Sequence, residues 1–410
     1  MPAVAVTGLG AVTAFGLGVD SLWQGLLQGR SAIAELQRGA SQHLRMTMAA
    51  EVTAYRAEDH LADRDFNELD RFAQLALVAG REAWRHAGLL QQQPPPQAVA
   101  VVSGSAVGGK ESEDAGYARL YGEGRARASP LTVPRAMAGA ASSRLARELG
   151  ARGPCASHAS ACAASSHAIA HAALLIASGR AEVALAGGSE APLAQGHLLA
   201  WDALRVLSPS VARPFDRARD GCTLGEGAAY LVLENANRAR ARGAPVLALL
   251  AGVGESCDSG PLTSPDAEGA ARALRAALAD AGVAAAAVDY VNAHGTATLL
   301  NDRAEAQALR AVLGQRVEAV ADRAEPGCWV SSTKGAHGHL LGAAGALEAV
   351  ITVLALHHGI APPNVGCREA DPACGLRIAL QPQPQRLQVA LSSTLAFGGL
   401  NIALCFVAAR

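Results

Sequence analysis

Charge, aromatic rings and paired cysteines are what this 410-residue chain has least of. Charged residues make up 17% of it, against a usual share of about 25%. With 50% apolar residues, that scarcity excludes a disordered tail or solvating linker. It predicts a large interior, extended by a subunit interface. Lys and Arg number 35 against 36 Asp and Glu, a net charge of −1, which argues against a globally basic nucleic-acid binder and leaves open only a local basic patch. Aromatics are 4% of the chain and glycines number 43, so tight backbone packing and turns are expected rather than an aromatic-rich binding surface. The eight cysteines form no C-x-x-C pair, which removes support for a zinc knuckle or a thioredoxin motif, and they are too sparse for a disulfide scaffold. Reduced thiols in a cytosolic compartment are expected. Met1–Val6 carries no basic run, and no apolar stretch of about 18 residues escapes a polar or glycine break, so neither a signal peptide nor a membrane span is expected. The chain reads as a soluble cytoplasmic protein.

What is present is an alternation of short apolar runs, bounded by glycine, with longer Ala/Leu-rich helical patterns, the layout of an α/β protein. Strands are predicted at 3–7, 98–103, 183–186, 228–234, 288–292, 329–332 and 389–393. Helices are predicted at 70–86, 162–178, 266–281, 303–313 and 340–357. The nearest approach to a seam is the Arg/Ala/Gly-rich segment Asn237–Pro245, which divides the chain into 1–245 and 246–410. Across that seam Gly153–Ser178 and Ser331–Leu356 echo each other, each a turn with a reactive residue followed by a small-residue helix. Two stacked βαβ-rich halves would produce such an echo.

Gly8-Leu9-Gly10-Ala11-Val12-Thr13 opens like a dinucleotide fingerprint, but Thr13 stands where the third glycine must be, so the pair of glycines reads as turn chemistry. Cys162 lies where an extended segment gives way to a helix of small residues. A thiol there faces unpaired amides and the positive end of the helix dipole, which favours thiolate. His294, in Asn292-Ala293-His294-Gly295-Thr296-Ala297-Thr298, sits at the carboxyl end of a strand, where α/β sheets build their sites. His339 follows Lys334 by five residues at the start of another helix and is expected to face inward, with His337 a loop residue. His167 and His171 are spaced i, i+4 but lack a third ligand, so helix packing is expected rather than metal binding. One thiol and two histidines admit a cysteine hydrolase. They equally admit an acyl-transfer enzyme in which two imidazole N–H groups stabilise an enolate.

The combination of Cys162 after Ser160-Ala161, His294-Gly295-Thr296-Ala297-Thr298, Ser332-Thr333-Lys334 with Gly338-His339-Leu340-Leu341-Gly342-Ala343-Ala344-Gly345, and Phe397-Gly398-Gly399 resembles the β-ketoacyl-[acyl carrier protein] synthases, most strongly the type II elongating branch. The likeness covers nearly the whole chain. It implies a thiolase-like fold with two duplicated halves in five layers, α-β-α-β-α, usually dimeric. It implies that Cys162 takes an acyl chain from the phosphopantetheine of an acyl carrier protein. His294 and His339 would hold a malonyl thioester during decarboxylative condensation, with Lys334 and Glu348 as their supporting pair. The oxyanion hole would come from the amides of Cys162 and Phe397. Thr296, Thr298 and Thr263 would contact the pantetheine arm, and no metal or other cofactor is implied. A partner is implied as well, either a second copy or a ketosynthase-like subunit. A thiolase would need a second cysteine where Phe397-Gly398-Gly399 stands, and a non-catalytic chain-length partner would lack Cys162.

Several residues depart from that pattern. Ala396 replaces a glycine of the flexible gate formed with Phe397 and Gly398, and is expected to stiffen it. Leu400 removes a hydroxyl. In the acyl pocket, with Leu395, Val107 is smaller than usual, Thr132 replaces an aromatic contributed across a dimer, and Trp201 replaces phenylalanine. Residues 64–68 lack a basic cluster for docking an acidic carrier, leaving Arg127 and Arg205 as candidates. These changes favour a specialised pathway, such as a polyene or other type II polyketide, over housekeeping fatty-acid elongation.

Overall fold

Continuous runs of valine, alanine and glycine make strands that can be buried on both faces; such strands, with a few more exposed ones, give five in each half of this chain and build one large sheet. The computed structural model describes residues 4–38, 43–318 and 327–409. Its sheet strands are β1 (Val4–Thr13), β2 (Val99–Gly104), β3 (Cys155–His158), β4 (Val183–Glu190), β5 (Gly227–Asn235), β6 (Ala248–Cys257), β7 (Tyr290–Asn292), β8 (Trp329–Ser331), β9 (Val389–Ala396) and β10 (Leu400–Ala408). Their spatial order is β8-β7-β9-β10-β6-β1-β5-β4-β2-β3, with the short strand Gly16–Leu17 added beside β1. That order is a palindrome about the β6–β1 junction, where Val4–Val6 pair antiparallel with Ala248–Leu250. In each half the outer three strands are parallel and the inner pairings antiparallel.

Helices complete the layers: α1 (Arg71–His86), α2 (Ala140–Leu149), α3 (Ala164–Ala177), α4 (Gln195–Ala203), α5 (Ala267–Ala281), α6 (Leu299–Leu313) and α7 (Ala344–His358). On one outside face α1 packs on β1, β5 and β4 with α2 against it; on the other, α5 packs on β6 and β10 with α6 against it. Between the two five-stranded parts lie α3 and α7, which touch each other and strands from both halves. The result is five layers, α-β-α-β-α, with one central apolar core and two outer ones. Every residue of α7 from Ala344 to Leu356 is buried, as a helix apolar on all sides must be. Among the described residues only Leu341–His358 is long and apolar enough to cross a membrane, and 89% of it is packed inside the protein.

The first strand is longer than the sequence suggests, running to Thr13. Gly8 and Gly10 are therefore strand residues and not a turn. A Cβ on Gly10 would lie 2.0 Å from the carbonyl oxygen of Ala79, and one on Gly8 2.2 Å from that of Ala83, so the two glycines let α1 press directly onto the sheet. Gly10→Ala should force α1 outward and cost about 2–3 kcal/mol, read as an earlier urea midpoint with an unchanged slope. The strands β3 and β10 and the helices α2 and α4 are further elements that the sequence pattern does not announce.

Candidate active site

The position of Cys162 follows from a local device used twice. After β3 the chain puts Ala161 at φ 48°, a left-handed conformation that a small side chain tolerates at a cost of about 1–3 kcal/mol. The single turn Ala161–Ala163 then leads into α3. Its first hydrogen bond runs from the Ala163 amide to Ser160 (3.0 Å), so the Cys162 amide is one of the unpaired donors of a helix start. In the other half Leu341 takes φ 45° and the turn Leu341–Ala343 leads into α7. His339 lies two residues before the start of that turn, pinned by its amide to Thr223 O (2.7 Å) and by its carbonyl to the Gly225 amide (2.9 Å). His294 follows β7, and the carboxylate of Glu305 accepts from the amides of both His294 and Gly295 at 2.7 Å.

These three elements bring their side chains together. Cys162 Sγ lies 3.1 Å from His339 Nε2. The rings of His294 and His339 meet edge to face, centroids 5.3 Å apart, and one nitrogen of each lies within 4.8 Å of the sulfur and of the other. Behind them Lys334, 1% exposed, forms an ion pair with Glu348 and donates to His294 at the ring Nδ1 (3.2 Å) and at the carbonyl (2.5 Å). An ammonium donating to Nδ1 requires that nitrogen to be unprotonated, so the ring's proton sits on Nε2. Nδ1 of His339 is buried without a partner. An orphaned acceptor there is less costly than an orphaned N–H, which again puts the proton on Nε2. Burial first, and then the Lys334 charge, hold both imidazoles well below the ordinary histidine range, so they are neutral donors.

The sulfur departs from the expectation of a thiolate. Burial pushes the Cys162 thiol up to about 12, and the Lys334 charge offsets only part of that. Alkylation of Cys162 by iodoacetamide should accordingly climb about tenfold per pH unit between pH 7 and 9. A plateau near pH 8 would show instead that the helix terminus outweighs burial.

The thiol and both histidines line a cavity of about 340 Å³. The profile described as "Beta-ketoacyl synthase, N-terminal domain" matches residues 1–239, and "Beta-ketoacyl synthase, C-terminal domain" matches 247–368. The chain belongs to the β-ketoacyl synthase family. Nodulation protein E of Rhizobium sp. (strain N33) is 41% identical to this synthase over 405 residues, 98% of each chain. 3-Oxoacyl-[acyl-carrier-protein] synthase 2 of Staphylococcus aureus (strain COL) is 34% identical over 411 residues, 98% of this chain and 97% of its own. A solved structure described as "The ishigamide ketosynthase/chain length factor" superposes over 100% of both chains with a TM-score of 0.93 at 31% identity.

Most of the residues expected at the site of this synthase lie on its cavity wall: Thr263, Thr296, Thr298, Trp201, Leu395, Ala396 and Phe397 with Cys162, His294 and His339. Thr296 and Thr298 share a hydrogen bond of 3.0 Å. Lys334 and Glu348 stand behind the wall. Gly398 lies in the β9–β10 turn, whose hydrogen bonds use the amides of Gly398 (to Leu262) and Gly399 (to Ala396) and not that of Phe397. The left-handed residues of that turn are Gly398 and Gly399. Ala396 closes β9 opposite Leu400, so alanine there restricts nothing the turn requires.

Val107 and Thr132 are not on this wall. Val107 is tied by its amide to Glu190 (3.4 Å), and Thr132 lines a separate depression together with Arg127. Arg205, at φ 58°, lines the cavity. Of residues 64–68, the side chains of Arg64 and Asp65 lie outside the described residues. His337 is not a loop residue: it ends the helical turn Lys334–His337 and is fully buried, bonded to Thr333 (2.9 Å) and Gly338 (2.8 Å). His167 bonds Ser160 and the Ala163 carbonyl, and His171 bonds His158, as packing histidines do. Two carboxylates were not legible as parts of the site. Glu305 fixes the His294 turn, and Glu190 accepts from Ser105, Ala106 and Gly342. Cys222 also lines the cavity.

Proposed function

We propose that this synthase performs a decarboxylative Claisen condensation of a Cys162-bound acyl chain with malonyl-[acyl carrier protein], giving 3-oxoacyl-[acyl carrier protein] in a type II polyketide or fatty-acid pathway. The observation that carries the reading is the convergence of one thiol and two neutral Nε2–H donors in one cavity. In acyl transfer, Sγ attacks the thioester carbonyl of the loaded carrier. The developing oxyanion is held by the amides of Cys162 and Phe397, the pantetheine sulfur leaves, and the Sγ proton ends on it. The malonyl thioester then presents its carbonyl oxygen to Nε2–H of His294 and His339. Loss of CO₂ leaves an enolate on that oxygen, stabilised by both donors, and its carbon attacks the acyl thioester on Cys162. Collapse expels Sγ, which takes up one proton from solvent, and the sum is one CO₂ and one new carbon–carbon bond. The reaction balances without a metal or any cofactor beyond the carrier's phosphopantetheine. Thr263, Thr296 and Thr298 would hold that arm, and Trp201 and Leu395 would border the acyl chain.

The same reading takes residues 1–245 and 246–410 as the two halves. It also takes the partner as a second copy or a ketosynthase-like subunit, which would supply what Val107 and Thr132 face. The protein would work in the cytoplasm. The test is reconstitution with acyl and malonyl carriers: a 3-oxoacyl product with stoichiometric CO₂ supports the proposal. Free acid in its place would make the protein a cysteine hydrolase, and no adduct on Cys162 would make it an idle partner subunit. A panel of saturated, unsaturated and aryl acyl carriers reads the pathway, since efficient turnover of long saturated chains would assign it to fatty-acid elongation.

A further inference from the structure

In a chain with only 4% aromatic residues, two of the rings face each other on the wall of the thiol's cavity. Trp201 and Phe397 stack with centroids 5.9 Å apart and planes 19° from parallel. Their supports differ in kind. Phe397 rides on the turn that contains Gly398 and Gly399, at φ 87° and 70°, a conformation that glycine adopts without strain. Trp201 rides on α4, which is anchored by buried Leu198 and by Asp202, the partner of Arg45 (3.0 Å). The indole is fixed once more: its N–H donates to Nε2 of His197, one turn earlier on the same helix, at 2.9 Å. That donation needs an unprotonated nitrogen. Burial, with Lys110 nearby, pushes His197 down to about 4, against the opposing pull of Asp114, so the acceptor is present at neutral pH.

We infer that His197 is a positioning residue: by holding the Trp201 indole it makes that ring the stop on which Phe397 rests, and so governs how readily reagents and acyl chains reach Cys162. The inference rests on the reading of Cys162 as acyl acceptor and of the Phe397 turn as its gate. A ring held by packing alone can tilt about its χ angles, whereas the added hydrogen bond fixes the face it presents. Without that fixed face the Phe397 ring loses its stop, although the turn itself stays tied to Leu262 and Asp258, and the path to the sulfur stands open more of the time.

The test is the rate at which N-ethylmaleimide labels Cys162, followed by peptide mass because Cys155 and Cys257 are exposed thiols of their own. His197→Leu removes the acceptor and Trp201→Phe removes the donor while keeping a ring to stack on. Each should label Cys162 at least threefold faster than wild type at an unchanged unfolding midpoint. The double variant should match the singles, because both remove the same bond. His197→Gln, which still offers an acceptor oxygen, should return the rate to that of wild type. Equal rates in wild type, His197→Leu and Trp201→Phe would overturn the inference, as would a His197→Gln rate equal to that of His197→Leu, or an additive double variant. If wild type takes no acyl chain from any carrier, the reading of the function falls, while the labelling series still judges the stop.

Discussion

Cys162→Ala should form no acyl adduct with any carrier and should lower 3-oxoacyl product by a factor on the order of 10⁴ or more, while still releasing CO₂ from malonyl carrier. The two halves of this expectation use different groups. Acyl transfer needs the sulfur, since only Sγ lies at a helix start with an unpaired amide and 3.1 Å from His339. Decarboxylation needs only the two Nε2–H donors, and alanine leaves both in place. Intact-mass measurement reads the first half, and the acetyl carrier formed from malonyl carrier reads the second. An adduct persisting in the variant would move the nucleophile elsewhere, and Cys222, on the same cavity wall, would be the first place to look. Neither imidazole titrates between pH 6 and 8 in the folded protein, because both are held well below the ordinary range. The imidazoles should therefore add no step to the residual CO₂ release across that interval, and any step near pH 7 should come from Glu348 and Glu305, both raised to about 7 by burial. A step that persists when both are replaced by glutamine would show that the rings titrate instead.

Lys334→Met should be damaging in two separable ways. It removes the cation facing Glu348, and breaking one side of a buried ion pair typically costs about 3–5 kcal/mol. It also removes the donor to His294 Nδ1, so the ring is free to carry its proton on the wrong nitrogen. Losing one aimed donor at a developing oxyanion costs about 10²–10³ in rate. Burial has already pushed Glu348 up to about 7, with Lys334 acting against it. Without the lysine it should be neutral at physiological pH. A second change, Glu348→Leu, replaces the pair by apolar groups of similar volume and should restore most of the stability. It should not restore decarboxylation. Urea unfolding and CO₂ release measured on the single and double variants separate the two effects, and wild-type CO₂ release by the double variant would reduce the pair to a structural role.

Cys162, His294 and His339 were legible because each is embedded in a short contiguous motif in which glycines and small residues mark the turn. The α/β class was legible through the alternation of buried runs with small-residue helices, and the two halves through the echo of Gly153–Ser178 in Ser331–Leu356, whereas the five layers were expected only from the family resemblance. That echo is structural: Ala161 and Leu341 take nearly the same left-handed φ, each opening a single turn before a central helix. What escaped depends on folding back. Glu190 acts through the amides of Ala106 and Gly342, 84 and 152 residues away, and Glu305 through the turn that precedes its own helix; nothing in the local sequence of either shows which amides those are. The strand β3, Cys155–His158, is a four-residue edge element whose side chains are exposed or half-buried, so it lacks the apolar run that betrays the other strands. Gly8 and Gly10 were misread as a turn because a helix pressing on a strand selects the same residue as a bend does. The thiolate expectation counted the helix dipole and left out the desolvation that comes with a buried sulfur.

The twin turns have one more implication. By position, the counterpart of Cys162 is Gly342, whose amide donates to Glu190 at 3.0 Å. A side chain there would start 2.2 Å from the amide nitrogen of Ala106 and 2.6 Å from the Glu190 carboxylate. The mirrored seat is thus physically blocked, and a second reactive sulfur could not be installed by one codon change. The symmetry of the scaffold ends at that atom: one half is committed to carrying the cargo and the other to steadying the charge, and neither can be made to exchange roles without first rebuilding the loop beyond β2.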